Sequence, residues 1–269
     1  MTLCDRRIGT GVQPVTNAGR GVLEGAFALL NVLEEAGEAR LATLASLSGL
    51  PKSSAHRLLD QLVALGAVER SWGVYRMGPQ LFRLGRAWQP YPGLQSASNG
   101  TVRWLAETTG ATVAICVLHE GRTMAATGRL GEVAELAPMR PGETWPATTA
   151  AGQVLMAFAP PGLPLDPLPP SWRRTSQEIR ERGAAFDRED LIPGVCCAAV
   201  PLRGPRGELV ASLAAMVPAG RKLEAMAETL ALAARAIEDG LRRVPRQGGR
   251  TVPPETARSP AHRGASGRP

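Results

Sequence analysis

The sequence predicts an α+β chain, in which a small helical unit ending in a hairpin precedes a larger unit of mixed strands and helices. Three observations carry this reading. Apolar side chains recur at spacings of three and four through residues 20–65, the period of a helix with one buried face. The period changes to two at Ala111–Leu118, and strand runs return at Val195–Leu202 and Glu208–Val217. Gly37, Gly49, Pro51, Gly66, Gly110 and Gly183 stand at the boundaries, where helix starts and stops need them.

Residues 1–19 mix Gly, Thr, Pro and Asn without periodicity and read as a mobile arm. Leu23, Ala26, Phe27, Leu30 and Leu33 then fall on one face of a first helix. Leu41, Leu44 and Ala45 form the apolar side of a second, which Gly49 stops. Pro51 suits the first turn of a third, where its missing N–H costs nothing, and Ala55, Leu58, Leu59, Leu62 and Leu65 share that helix's apolar face. Val68 and Val74–Tyr75 flank Ser71-Trp72-Gly73, a hairpin pattern. Residues 79–88 are helical again, with Leu81, Phe82 and Leu84 as apolar contacts, and QPYPG at 89–93 interrupts them.

The second unit is expected to open with a helix over 94–109 and a strand over Ala111–Leu118 that turns back through Thr123–Thr127. Ala151, Val154, Leu155 and Phe158 make a helical stripe within 147–158, and PPGLPLDPLPP at 160–170 excludes regular helix. A short charged helix over Ser176–Arg182 follows, then two strands joined by Arg203-Gly204-Pro205-Arg206-Gly207. Leu223, Met226, Leu230, Ala234, Ile237 and Leu241 define a long closing helix. The organisation expected is therefore an arm at 1–19, a helical unit at 20–78, a linker helix and turn at 79–95, a mixed unit at 96–241 and an Arg/Pro-rich tail at 242–269 too polar to order itself.

Composition narrows the function classes. With 44% hydrophobic and 20% charged residues in 269, the chain builds a globular core rather than a disordered one. No uninterrupted apolar run of about 18 residues exists, which argues against a membrane span, and the N-terminus carries no apolar leader core. The expected location is the cytoplasm, with Cys4, Cys116, Cys196 and Cys197 reduced. The net charge of +7 is misleading, because residues 242–269 hold seven Arg and one Glu. An argument for nucleic acid must therefore come from local geometry. No metal site or cofactor is expected: the cysteines form no CxxC pair and His56, His119 and His262 lie far apart.

The segment LATLASLSGLPKSSAHRLLD supplies that geometry. It reads as helix, glycine turn, helix, so the two helices cross. The third helix commits its leucines to the core, while Ser53, His56, Arg57 and Asp60 recur on its other side and Lys52 and Ser54 crowd its first turn. Backbone N–H groups and the helix dipole suit phosphates, and Arg reads guanine edges. Arg70 and Arg76 in the following hairpin suit a wing beside a duplex. Asp60 would be repelled by DNA, so it is expected to pair with Arg57 or turn away. Trp72, at the hairpin tip, is either an anchor against the body or an exposed contact.

These phrases resemble one family. GLPKSSAHRLLDQLVALGAVER, then YRMG and LFRLG, look like the winged helix–turn–helix of the IclR (isocitrate lyase regulator) family. PATTAAGQVLMA resembles its small-residue helix start, with Gly152-Gln153 where Gly-Lys is usual, and TSQEIRERGAAFDRED, PGVCCAAVP and GELVASLAA follow in the family's order. The resemblance covers roughly residues 20–240. It implies a homodimeric or homotetrameric transcription regulator that binds a double-stranded DNA operator and controls a catabolic or secondary-metabolic operon, not an enzyme. It also implies a GAF/profilin-like effector-binding domain whose pocket for a small organic molecule includes Ala150, Ala151, Asp187, Cys197, Ala214 and Met216. Ala214 and Met216 stand where some carboxylate-binding members have serines, which implies a less polar pocket. The alternative is a thiol-based redox sensor or GAF-like redox enzyme using Cys116, Cys196 and Cys197.

Overall fold

The structure is a computed structural model that describes residues 21–119, 121–159 and 169–244. The arm at 1–19, Cys4, most of the 160–170 segment and the tail beyond Val244 lie outside the described residues.

Helix α1 (Val22–Ala36) is followed by strand β1 (Glu38–Arg40), helices α2 (Leu41–Ser48) and α3 (Lys52–Ala64), and a hairpin of β2 (Val68–Ser71) and β3 (Val74–Met77). Gly49 closes α2 in the left-handed region at φ 67°, and its N–H together with that of Leu50 returns to the last carbonyls of α2. A left-handed cap of this kind is the role glycine fills without a Cβ penalty. It turns the chain so that α3 crosses α2. Leu29, Leu33, Leu44 and Leu59 are fully buried where α1, α2 and α3 meet. The three strands form one antiparallel sheet in the order β1-β3-β2.

The packed faces differ from the periodic ones at several positions. Leu29 and Gly25, not Leu23 and Phe27, lie on the buried face of α1, and Leu23 and Phe27 are exposed. Leu65 caps α3 from outside its core. On α4 (Pro79–Gly85), Phe82 and Leu84 are exposed rather than packed. Strand β1 was invisible to periodicity, because three residues do not complete a pattern.

The second unit is a six-stranded antiparallel sheet between two helix layers. Its elements are α5 (Leu94–Thr109), β4 (Thr112–His119), β5 (Arg122–Arg129), β6 (Thr144–Trp145), α6 (Ala150–Phe158), α7 (Trp172–Arg182), β7 (Ala185–Arg188), β8 (Val195–Arg203), β9 (Leu209–Pro218) and α8 (Leu223–Arg243). The closing helix runs past residue 241, so Arg242 and Arg243 belong to it rather than to a tail. Strand order is β6-β5-β4-β9-β8-β7. Alternation assigns each face. Val113, Ile115, Leu213, Ala215, Ala198 and Val200 meet α5 and α8. Ala114, Cys116, Ala214 and Ala199 meet α6. A slip of one residue would exchange these sets, so double burial pins the register. The alanines on the α6 side are small because α6 lies close. Gly152 on α6 has no room for a Cβ, which would collide with the Thr123 side chain and the Ala147 carbonyl.

Candidate functional site

The first site is the outward face of α3. Pro51 caps it without a side-chain hydrogen bond, and the first intrahelical bond runs from the Ala55 N–H to the Pro51 carbonyl at 2.9 Å. The N–H groups of Lys52, Ser53 and Ser54 therefore point out of the helix start without intrahelical acceptors. Lys52, Ser53, His56 and Arg57 are exposed and Ser54 is half-buried at the edge of this face.

Asp60 pairs differently from the expectation. Its carboxylate meets His56 Nδ1 at 3.1 Å and the Arg70 guanidinium at 3.3 Å, and Arg57 has no partner among the described residues. The i,i+4 spacing gives Asp60 to His56, and the antiparallel hairpin brings Arg70 in from β2. Exposed pairs of this kind add little stability. Their consequence is electrostatic: the one carboxylate on the face is countered, and Arg57 is left with all its donors unused. Arg70 also lies 6.0 Å from the centroid of the Tyr75 ring, and Tyr75 first, then Asp60, holds its guanidinium more firmly protonated.

The structure does not bring Arg76 to this face. Registry puts it between Glu38 on β1 and Glu69 on β2, on the side of the sheet away from α3, and it bonds Glu69 at 2.7–2.8 Å. The hairpin residue that reaches the α3 face is Arg70, through Asp60.

The second site is a cavity of about 60 Å³ between the sheet and α6. Ala151, Asp187, Cys197, Ala214 and Met216 line it, whereas Ala150 is fully buried in the core beside it. Sequence reasoning missed Thr123, Trp145, Thr149 and Ile192, which also line it. Thr123 and Thr149 were hidden in β5 and in a helix cap, and Ile192 in a loop that folds back over the sheet. Thr149 caps α6 by accepting the Gly152 N–H at 3.1 Å. Thr123 is 1% exposed, and its buried hydroxyl has no hydrogen-bond partner among the described residues. Such an orphan costs free energy unless something polar reaches it.

Asp187 is the only ionisable carboxyl in the lining, and no Lys, Arg or His stands among the described lining residues. It accepts the Asp190 N–H at 2.9 Å. Burial pushes its pKa up, against the opposing pull of that backbone bond. A raised folded-state pKa means the ionised carboxylate costs stability at neutral pH, and the cost fades as pH falls through that pKa. Asp187→Asn is therefore expected to stabilise the ligand-free protein at pH 7 and to gain less at pH 4.5. Paired urea titrations measure this, and an equal gain at both pH values would contradict it.

The redox reading loses its physical basis. Burial pushes the Cys116 thiol up to about 12, and desolvation raises Cys196 and Cys197 as well. Reactive cysteines need the thiolate at working pH, and these three are held as neutral thiols. Cys196 also points to the opposite face of the sheet, among the α5 and α8 contacts. Among the described residues no cluster of His, Cys, Asp and Glu could hold a metal ion, and no helix is long and apolar enough to cross a membrane.

A basic helix face beside a small wing, joined to a second unit with a largely apolar pocket, defines a class: transcription regulators that answer to a bound small molecule. Comparison with known proteins agrees. Residues 22–71 match the IclR helix-turn-helix domain, and residues 169–239 match the C-terminal domain of the bacterial transcriptional regulator IclR. The glycerol operon regulatory protein of Streptomyces coelicolor is 30% identical over 206 residues, 68% of this chain and 79% of that one. The HTH-type transcriptional regulator BhcR of Paracoccus denitrificans is 27% identical over 86% of this chain and 91% of its own length. The chain belongs to the IclR family. Its fold matches the crystal structure of an IclR homologue from Microbacterium hydrocarbonoxydans complexed with 4-hydroxybenzoate, at TM-score 0.69 and 22% identity over 82% of this chain and 99% of that one. The IclR of Thermotoga maritima matches at TM-score 0.68 and 22% identity, over 81% and 98%.

Proposed function

We propose that the chain is a homodimeric regulator of a catabolic operon whose effector is a compact, largely apolar molecule carrying a neutral or cationic hydrogen-bonding group. The observation that carries the effector class is the lining: one carboxyl, two threonine hydroxyls and otherwise apolar side chains, with no basic group. A carboxylate effector would meet Asp187 with no counter-charge, and desolvating it there would be costly. An alcohol, phenol or amine would give Asp187 a donor and engage the orphaned Thr123 hydroxyl. The cavity is smaller than a benzene-sized site, about 150 Å³. Larger effectors therefore require the loop between β7 and β8, tied by the Asp187–Asp190 and Glu189–Gly194 hydrogen bonds, to move outward. The name of the Streptomyces coelicolor relative, a glycerol operon regulator, fits control of a small-molecule catabolic operon.

Dimerisation is supported by apolar surface that the single chain leaves uncovered. Val22, Leu23 and Phe27 on α1, and Phe82, Leu84 and Trp88 on and after α4, are all exposed. Two copies would set two α3 helices into successive major grooves, with half-sites roughly 34–36 Å apart. The linker at 79–95 touches the effector unit where the Tyr91 hydroxyl donates to Glu208 at 2.9 Å. An effector shifts DNA affinity through such a contact only if it binds the two arrangements unequally.

Thermal shift with matched probes tests the effector class: isobutanol, isobutylamine and isobutyrate, then benzyl alcohol, benzylamine and benzoate. The alcohols and amines are expected to raise the melting temperature and the carboxylates to leave it unchanged. Equal or greater stabilisation by the carboxylates would overturn the reading. Thr123→Val is expected to raise ligand-free stability by about 1–3 kcal/mol, because it removes an unpaired buried hydroxyl, and to abolish the alcohol shift.

A further inference from the structure

The wing ends in a residue that folding does not explain. Trp72 is 97% exposed and touches no core cluster. It also sits at φ 51°, followed by Gly73 at φ 76°. Two positive φ values between the paired residues Ser71 and Val74 are the signature of a type I′ hairpin turn, whose first central position favours Asn, Asp or Gly. A bulky tryptophan there is strained and returns no burial. Backbone strain held at an exposed, aromatic tip points to a role in contact with something else.

The surroundings identify the occupant. Asp60 on α3 contacts Arg70 on β2 at 3.3 Å, which shows that the base of the wing lies beside the exposed face of α3. Trp72 lies two residues past Arg70, about 7 Å further along an extended strand. The tip itself, Ser71-Trp72-Gly73-Val74, carries no charge, so nothing there repels a polyanion. With α3 in a major groove, a wing held beside it would carry Trp72 toward the flanking phosphate strand and the minor groove beyond. We propose that Trp72 inserts into the minor groove next to the half-site read by α3, wedging against or between base pairs at a deformable step. The chemistry is that of apolar wedges that unstack a step and bend the duplex, and of aromatic rings that stack on bases without reading their edges. Selection would appear as a preference for easily kinked pyrimidine–purine steps at a position no side chain hydrogen-bonds.

This inference rests on the DNA-binding reading, and the test separates the two. The full-length protein is used to enrich duplexes from a randomised library. Wild type, Trp72→Asn and Trp72→Phe are then compared on the enriched duplex by gel shift and hydroxyl-radical footprinting, which reports the minor-groove sugars. Trp72→Asn suits the turn and is expected to melt no lower than wild type. It is expected to bind more weakly by roughly 30-fold or more, as loss of one base–aromatic stack in each of two protomers predicts, and to lose minor-groove protection beside the half-site. Trp72→Phe is expected to keep most of both. Unchanged affinity and footprint for Trp72→Asn would overturn the wedge and leave the role of α3 standing. A lowered melting temperature for Trp72→Asn would make the residue structural and also overturn it. If wild type enriches no duplex, the wedge and the DNA-binding reading fall together.

Discussion

Arg57→Ala is expected to weaken binding to a duplex enriched by the wild-type chain by roughly 30-fold to more than a thousand-fold. One bidentate contact to a guanine edge is worth about 1–3 kcal/mol, the proposed dimer makes it twice, and each 1.4 kcal/mol is a factor of about ten. The folded protein should not notice the change, because Arg57 is exposed and its guanidinium has no partner among the described residues. The loss should be concentrated on particular base pairs. Lys52→Ala provides the contrast. A phosphate contact removed at the helix start should weaken all duplexes alike and lower the salt slope by about one per protomer. Gel shifts at two salt concentrations on matched and mismatched duplexes separate the two signatures. Retained base preference in Arg57→Ala would show that α3 reads DNA with other side chains.

Leu59→Ala is the second large effect, and it acts through folding. Leu59 is fully buried between α1 and α3, and truncating such a leucine costs about 2–5 kcal/mol. The cluster it belongs to has thirteen buried residues. Units of about 60 residues bury only about 60% of their unfolded surface and have little stability to spare. The expected result is loss of DNA binding near 37 °C with the effector unit still folded, because that unit packs on its own two clusters above and below the six-stranded sheet. Calorimetry should display a lower-temperature transition that moves in Leu59→Ala and a higher one that does not. A single transition moving as a whole would mean that the two units melt together.

Much of this molecule was legible from residue order. Helices α1, α3 and α8 announced themselves because 13 to 21 residues give an apolar stripe several chances to repeat. The hairpin at 68–77 was legible from Val68, Tyr75 and the Trp72-Gly73 turn. Strands β1, β6 and β7 were not, because two to four residues fit any period. The buried face of α1 differs from the periodic one for a different reason. Leucines occur on more than one side of it, and periodicity cannot distinguish a side that faces the core from one left exposed.

The candidate sites divide in the same way. Local spacing alone put Ser53, His56 and Arg57 on one helical face, since 3.6 residues per turn leaves no other arrangement. The partner of Asp60 depended on where β2 came to lie. Arg76 turned away because strand pairing placed it between two glutamates, a matter of registry that no local pattern records. The cavity is the clearest case. Asp187, Thr123, Ala151 and Met216 lie on four elements far apart in sequence, and a shared hollow exists only once the sheet has paired and α6 has settled on its alanines. Residue order determined the longer elements, the helix face and the class of regulator, because those follow from short-range periodicity and from phrases that keep their order. Tertiary structure alone decided which charges cancel, which hydroxyl is stranded and what the hollow can hold, because each depends on contacts between segments that no spacing along the chain encodes.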